Sequence, residues 1–398
     1  MNYILVIDHI ATGGAERILI DYYHHLQSMH HNVTIFCLSG NVKQSAWVEE
    51  LNVVYGAEKD ENNLIRKTFQ QIRLFFKLKN LVKQNKADVV FSFLEKSNLL
   101  TILLPTKTRK VLTVHNVLSI QYMKIKSEIV RKMVYGMIRS AYNKCKNVIA
   151  VSEQVKSDLI TSFNVISDNI QVVNNYVNRR DIKLKSQMLV EDYKFEDQIR
   201  YIVNIGRFSL QKSQWKLIKA YFIALRKGLV DTKLILMGRG EYEEDLKELT
   251  HNLNLDDYVS FLPFDTNPYK YMSKAHLFVL SSIYEGFPIV LAEASSLRIP
   301  FVGSQKSIPR EFFESQKVWE ESIFASQEIE PDFSTTLHDD EYELADLLMK
   351  GINDEDFRER ILKDTSKWEA NNDVLKQFEM YNAIESDCIH VDSVVKLA

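Results

Sequence analysis

The sequence predicts an α/β protein made of two Rossmann-like, doubly wound parallel-sheet domains. Three observations lead there. The chain is 398 residues long, more than one ordinary hydrophobic core holds. Short apolar runs alternate with amphipathic stretches of helical length, the pattern of βαβ units and a parallel sheet, and this alternation stops and then restarts. The charge is divided as well. A formal net charge of -3 conceals 26 Lys and Arg against 15 Asp and Glu in residues 1–190, a balance of +11, and 24 against 38 in the remainder, a balance of -14. Such a split marks two domains and suggests that the first faces something anionic.

In the first half, YILVID passes through a Gly-Gly turn into AERILIDYYHHLQSM. Then follow VTIFCLS, the basic stretch IRKTFQQIRLFFKLKNLVKQNK, ADVVFSFL, KVLTVHN, a second basic helix from about Lys124 to Lys146, and NVIAVS. The second series opens at RYIVNIGR and continues with TKLILMG, YVSFLPF, LFVLSS and IPFVGS. The polar, poorly periodic residues 181–198 read as the linker, which places the domains at 1–185 and 199–375. The end of the chain is helical, with apolar and aromatic residues at roughly helical spacing in KWEANNDVLKQFEMYNAIE.

With 45% hydrophobic and 26% charged residues, the composition is that of a soluble globular protein. Cys37, Cys145 and Cys388 form neither a disulfide framework nor a metal-ligand spacing, which favours a reducing compartment. The N-terminus reads as a strand rather than a signal peptide. No apolar run approaches the ~18 residues of a spanning helix. The expected location is the cytoplasm, with peripheral attachment at the inner face of the cell membrane. That attachment rests on the two basic amphipathic stretches, Arg66–Lys86 and Lys124–Lys146, which are either solvated helix faces or docking surfaces for anionic headgroups. No nucleic-acid motif accompanies the charge, so no nucleic-acid partner is expected. No metal is expected either. His24, His25, His30 and His31 lack ligand spacing, and Asp354, Glu355 and Asp356 lie in a polar loop.

The chemistry concentrates in SSIYEGFPIVLAEASSLRIPF. An apolar strand ends before Glu285-Gly286-Phe287-Pro288, and a helix opens at Pro288, the first-turn position that suits proline. Free amides at that helix end, from Ile289 onward, can receive an anion. Glu293 lies just over one turn deeper. In NIGRFSLQKSQWKLIKAY, Gly206 permits a tight turn after a strand and sets Arg207 and Lys212 near a helix start, where two cations can neutralise a diphosphate.

At these residues the chain resembles the retaining glycosyltransferases of family 4, whose E-x7-E signature reads much like EGFPIVLAEA. The resemblance implies the GT-B fold: two Rossmann-like domains facing a cleft, with a C-terminal helix, residues 376–398, crossing back onto the first. It assigns Arg207 and Lys212 to the donor's diphosphate, Glu285 to the hydroxyls of the donor sugar, and Glu293 to the nucleotide ribose. Pro263 and Phe264 fall where the family meets the base, although Phe264 also suits a core position. Gly238 falls on the nucleotide side, or serves only a turn. Gly13 and Gly14 match a turn near the donor phosphate, with Glu16 a further candidate, or form a simple turn. His115, at the end of an apolar strand where ligands of open α/β sheets bind, matches a histidine near the donor sugar. Arg298 stands where the family usually has a glycine.

The resemblance thus implies a metal-independent, retaining hexosyltransferase with Glu285, Lys212, Arg207 and His115 at its catalytic centre. A nucleotide sugar, UDP-linked, serves as co-substrate. The first domain holds a glycan or lipid-linked acceptor of polysaccharide biosynthesis. A sugar-nucleotide epimerase and a non-catalytic glycosyltransferase partner are the alternatives.

Overall fold

The apolar runs become strands because helices cover both faces of each sheet, leaving nothing to alternate with solvent. In β1 (Asn2–Ile7) every residue from Tyr3 to Ile7 is buried. The computed structural model describes residues 1–10, 13–40, 50–57, 64–105, 107–326, 330–371 and 374–386. It divides the chain into two units, one of residues 1–175 with 375–398 and one of residues 176–374. Cys388 and the rest of the expected C-terminal helix beyond Ser386 lie outside the described residues.

In the first unit β1 is followed by α1 (Gly14–Ser28), β2 (Asn32–Ser39), β3 (Val53–Ala57), α2 (Leu64–Gln84), β4 (Val89–Phe93) and α3 (Glu95–Ile102). Then come β5 (Arg109–Val114), α4 (Leu118–Met123), α5 (Glu128–Asn143), β6 (Val148–Ala150), α6 (Glu153–Phe163) and β7 (Ile170–Val172). All pairings are parallel, in the order β3-β2-β1-β4-β5-β6-β7. The pleat sends neighbouring residues to opposite faces. Val90 joins Ile4, Val6, Leu74, Leu78 and Val82 beneath α2, whereas Phe91 meets Tyr22 of α1 on the other face. The basic stretches predicted at Arg66–Lys86 and Lys124–Lys146 correspond to α2 and α5, the second following the short helix α4.

The second unit runs through α7 (Arg179–Ser186), β8 (Arg200–Ile205), α8 (Gln214–Arg226), β9 (Thr232–Met237), α9 (Glu243–Asn252), β10 (Val259–Leu262) and α10 (Tyr269–Met272). It continues with β11 (Ala275–Leu280), α11 (Ile289–Ser296), β12 (Phe301–Ser304), α12 (Gln316–Glu321), β13 (Ile323–Phe324), α13 (Asp339–Asn353) and α14 (Glu355–Asn371). The sheet order is β10-β9-β8-β11-β12-β13, again parallel. The boundary differs from the expected 185. Helix α7 packs on α10 and α11 and belongs to the second unit, so part of the expected linker is structural. Two lysines of α8 are interior. Lys216 pairs with Asp340 of α13, and Lys219 lies 2.6 Å from Asp332 and 3.5 Å from Glu341. Removing one partner of such a pair leaves an uncompensated buried charge, at about 3–5 kcal/mol.

Helix α15 (Val374–Ser386) returns to the first unit. Its Phe378 stacks on His25 at 4.2 Å, and Tyr381 lies 5.1 Å from both Tyr22 and Phe91. His25 thus serves packing, and Asp354 caps α14 by accepting from the amide of Phe357. Among the described residues no helix is long and apolar enough to cross a membrane.

Helix α11 ends in a Schellman motif: the amide of Ile299 donates to the carbonyl of Ala294, and that of Arg298 to Ser295. The motif needs a left-handed residue, and Arg298 supplies it at φ 57°, the position where a glycine was expected. The Cβ is strained there, so Arg298→Gly should raise the free energy of unfolding by about 1 kcal/mol. Urea denaturation checks this, and an unchanged or lower midpoint would contradict the account.

Candidate active site

Strands β8 and β11 are neighbours, yet the chain leaves them toward opposite edges of the sheet. This is a topological switch point, beyond whose carboxyl ends ligands of open α/β sheets bind. Two turns meet there, residues 206–213 after β8 and 281–288 after β11. The hydroxyl of Ser213 donates to the carbonyl of Ser281 (2.5 Å), that of Ser281 to the carbonyl of Lys212 (2.9 Å), and the amide of Ile283 to the carbonyl of Gln211 (2.8 Å). On this frame Lys212 Nζ donates to Glu285 Oε1 at 2.6 Å, and Gln211 Nε2 to the carbonyl of Tyr284 at 3.0 Å. Glu285 is 7% exposed. A Cβ on Gly206 would lie 3.4 Å from Lys212 Cε, so the lysine stem rests on that glycine. The Arg207 side chain is exposed and makes no ion pair among the described residues.

Helix α11 begins one residue later than expected, with Pro288 as its N-cap. The first amides, Ile289 and Val290, have no intrahelical acceptor. Glu293, the fifth residue of α11, is 7% exposed and accepts from the Tyr269 hydroxyl at 2.8 Å. Gly286 is buried within the turn. The Phe287 ring is not available to a ligand. It stacks on Phe312 at 5.1 Å and lies 5.8 Å from Trp368, in the core beneath the helix. Only its backbone remains for binding.

Gly238 sits at φ 155°, and a Cβ there would lie 2.1 Å from the carbonyl oxygen of Gly206. This close approach demands glycine whatever else the turn does. It locks the turn after β9 to the one carrying Arg207. Pro263 and Phe264 follow β10 and are exposed rather than core. Arg239 lies over the Phe264 ring at 5.3 Å, leaving an aromatic face at the same sheet edge.

The first unit has its own switch point, between β1 and β4. A Cβ on Gly13 would lie 2.3 Å from Glu16 Oε2, so the Glu16 carboxylate folds back over the start of α1, at Gly13 and Gly14, and faces His9 at 3.2 Å. His115 is buried and stacks against Phe93. The Thr113 hydroxyl donates to the carbonyl of Ser92 and therefore accepts from His115 Nε2 at 3.0 Å, which leaves the lone pair on Nδ1. Burial, opposed by Glu16, pushes the imidazole down to about 4. It is a neutral hydrogen-bond acceptor at physiological pH.

Sequence reading missed the acids beside it. Asp8, at the end of β1, accepts from the amide and hydroxyl of Ser97 at 2.8 and 2.6 Å. Glu95 is buried and accepts from Tyr142 at 2.5 Å. The available signal was position: both acids directly follow apolar strands. Tyr269 and Gln211, which hold Glu293 and Glu285, carried no signal because their partners are distant in sequence. Among the described residues no group of three or more His, Cys, Asp or Glu is placed to hold a metal ion.

Burial raises the Glu95 carboxyl from 4.5 to about 8, with the Tyr142 hydrogen bond opposing. The folded state keeps its proton to about pH 8, whereas the unfolded chain releases it near 4.5. Stability from this group is therefore complete below 4.5 and lost as pH rises toward 8. Glu95→Gln, neutral throughout, should gain stability relative to the parent on going from pH 5 to pH 8. Denaturant midpoints at the two values test this, and a difference independent of pH would refute a protonated Glu95.

Residues 12–180 match the model of Glycosyltransferase Family 4, and residues 187–368 that of Glycosyl transferases group 1. An N-acetylgalactosamine-N,N'-diacetylbacillosaminyl-diphospho-undecaprenol 4-alpha-N-acetylgalactosaminyltransferase of Campylobacter jejuni is 29% identical over 78% of this chain and 82% of its own length. The O-antigen chain mannosyltransferase RfbU of Salmonella typhimurium is 27% identical over 55% of this chain and 61% of its own. Among solved structures, HepE of Anabaena in complex with UDP and glucose superposes with a TM-score of 0.71 at 19% identity, covering 97% of this chain and 99% of that one. The lipopolysaccharide outer core galactosyltransferase WaaB superposes with a TM-score of 0.67 at 16% identity, covering 98% and 100%. These structures share the two-domain, Rossmann-like GT-B fold. With one family model on each unit and the E-x7-E pair at the second unit's switch point, the chain belongs to the group 1, family 4 glycosyltransferases.

Proposed function

We propose that this glycosyltransferase moves a sugar from a UDP-sugar to a lipid-linked glycan in polysaccharide assembly, with retention of configuration and without a metal ion, at the cytoplasmic face of the cell membrane. The observation that carries the reading is the Lys212–Glu285 pair at 2.6 Å, with the exposed Arg207 guanidinium on the same turn. The C. jejuni relative's name gives a diphospho-undecaprenol acceptor, and the Anabaena neighbour was solved with UDP. Both favour this donor and acceptor.

In this mechanism the bond from the anomeric carbon to the diphosphate oxygen breaks, and charge builds on the departing phosphate. Arg207 and Lys212 stabilise that charge, with the amides at the start of α11 beside them. Glu285 accepts from the sugar hydroxyls while holding Lys212 in place. Glu293, oriented by Tyr269, accepts from the ribose, and Phe264 offers its ring to the base. The acceptor hydroxyl attacks the face the phosphate leaves, and its proton passes to the phosphate oxygen. His115, neutral with Nδ1 unprotonated, accepts from a donor-sugar hydroxyl.

The test is nucleotide release from a panel of nucleotide sugars, with and without a lipid-linked glycan fraction. Release that needs the lipid supports transfer, an α-linked product by NMR supports retention, and a rate unchanged by EDTA supports the metal-free route. A rearranged free sugar without acceptor would make the protein an epimerase, and no binding of any nucleotide sugar would exclude catalysis. Lys212→Ala and Glu285→Ala should each lower transfer by roughly 100-fold or more, with circular dichroism unchanged. Parent-like activity in either would remove the assigned role.

A further inference from the structure

Helix α5 buries one face and leaves the other bare. Ile138, Ala141 and Tyr142 point inward, and the Tyr142 hydroxyl is tied to Glu95 and to Asn98 of α3. The helix is thereby held in one rotation. On its outer side Ile129, Val130, Met133 and Met137 are 75, 47, 66 and 54% exposed. Gly136 lies between them, with open space where a Cβ would point. Met123, at the end of α4, is also exposed. Single exposed apolar residues are ordinary. Four on the outer side of one helix, spaced i, i+1, i+4 and i+8, form a continuous strip.

The charge around the strip is one-sided. Residues 118–146 hold Lys124, Lys126, Arg131, Lys132, Arg139, Lys144 and Lys146, against the single acid Glu128. Lys132 and Arg139 are exposed on α5 itself, and Lys124, Lys126, Lys144 and Lys146 are exposed at its two ends. Helix α2 packs on the sheet face that Val90 and α3's Leu100 share, and it too presents exposed Phe69, Ile72 and Phe76.

We infer that the outer face of α5 seats this protein on an anionic lipid bilayer, with Ile129, Val130, Met133 and Met137 entering the headgroup–acyl boundary and the surrounding lysines and arginines meeting the lipid phosphates. Apolar residues flanked by cations on an amphipathic helix are the requirement for interfacial binding. The excess of cations matches an anionic leaflet. The methionines are unbranched and adaptable, which suits a fluid surface. The inference is independent of the donor site. If the acceptor is lipid-linked, docking brings the first unit to the plane in which that acceptor lies.

The experiment is flotation of the full chain with vesicles of phosphatidylglycerol and phosphatidylcholine, against phosphatidylcholine alone. Binding should require phosphatidylglycerol and weaken with salt. Met133→Asp/Met137→Asp should lower partitioning at least ~10-fold with unchanged thermal stability, whereas Met133→Leu/Met137→Leu binds as the parent. Lys132→Gln/Arg139→Gln should lower it roughly fivefold per cation removed. Lys212→Ala should float like the parent, which separates this result from any failure of the donor-site reading. Parent-like flotation of the aspartate variant, equal binding to neutral vesicles, or a dimer that the aspartate variant dissociates without lipid would overturn the proposal.

Discussion

The staple between two turns, closed by the ion pair of Lys212 and Glu285, organises the second unit's carboxyl edge. Neither side chain is placed by its own helix. Lys212 lies before α8, and Glu285 before α11. Reciprocal hydrogen bonds between residues 211–213 and 281–283 fix their separation. Ser213 takes a left-handed conformation, φ 40°, at the start of α8, and its hydroxyl is held by the carbonyl of Ser281. Strain of this kind persists only where the surroundings over-determine it. Once the staple is set, Gly206 lies under the lysine, Gly238 against Gly206, and Arg207 is left facing solvent.

Helix α8 continues the theme inward. Lys212 lies on the turn before the helix and approaches the ligand edge, whereas Lys216 and Lys219, three apart on α8, share one inward face. Both are buried and paired with acids at or before the start of α13. The hydrogen bonds from Lys219, Ser334 and His338 hold the Asp332 carboxyl below the usual range despite its burial. These two lysines thus anchor α8 against the start of α13 and make the helix that follows the active-site turn resistant to rotation.

The parts legible in the sequence were those with local causes. Strands followed from apolar runs, the switch-point turns from glycines after strands, and the paired glutamates from spacing along one segment. Strands β3, β7 and β13 escaped because they lie at sheet edges, where they are only partly buried and need no continuous apolar run. The boundary at 175 escaped because α7 is amphipathic only relative to α10 and α11, which lie far along the chain. Phe287 read as part of a ligand loop because its partners, Phe312 and Trp368, come later in the sequence. Buried lysines in KSQWKLIKAY look like solvated ones until Asp340 and Glu341 are brought near. Proximity between distant residues, not propensity, decided each of these cases.

Helix α15 carries a consequence for the order of assembly. The wall of the first unit around Tyr22, His25 and Phe91 is completed by Phe378 and Tyr381, from the far end of the chain. During synthesis, which proceeds at roughly 5–20 residues per second, that wall stays open until every residue of the second unit has been made. The domain that starts first finishes last. Until then its aromatic surface stands exposed to chaperones and to other nascent chains, and the maturation of the first unit is timed by the emergence of the last helix.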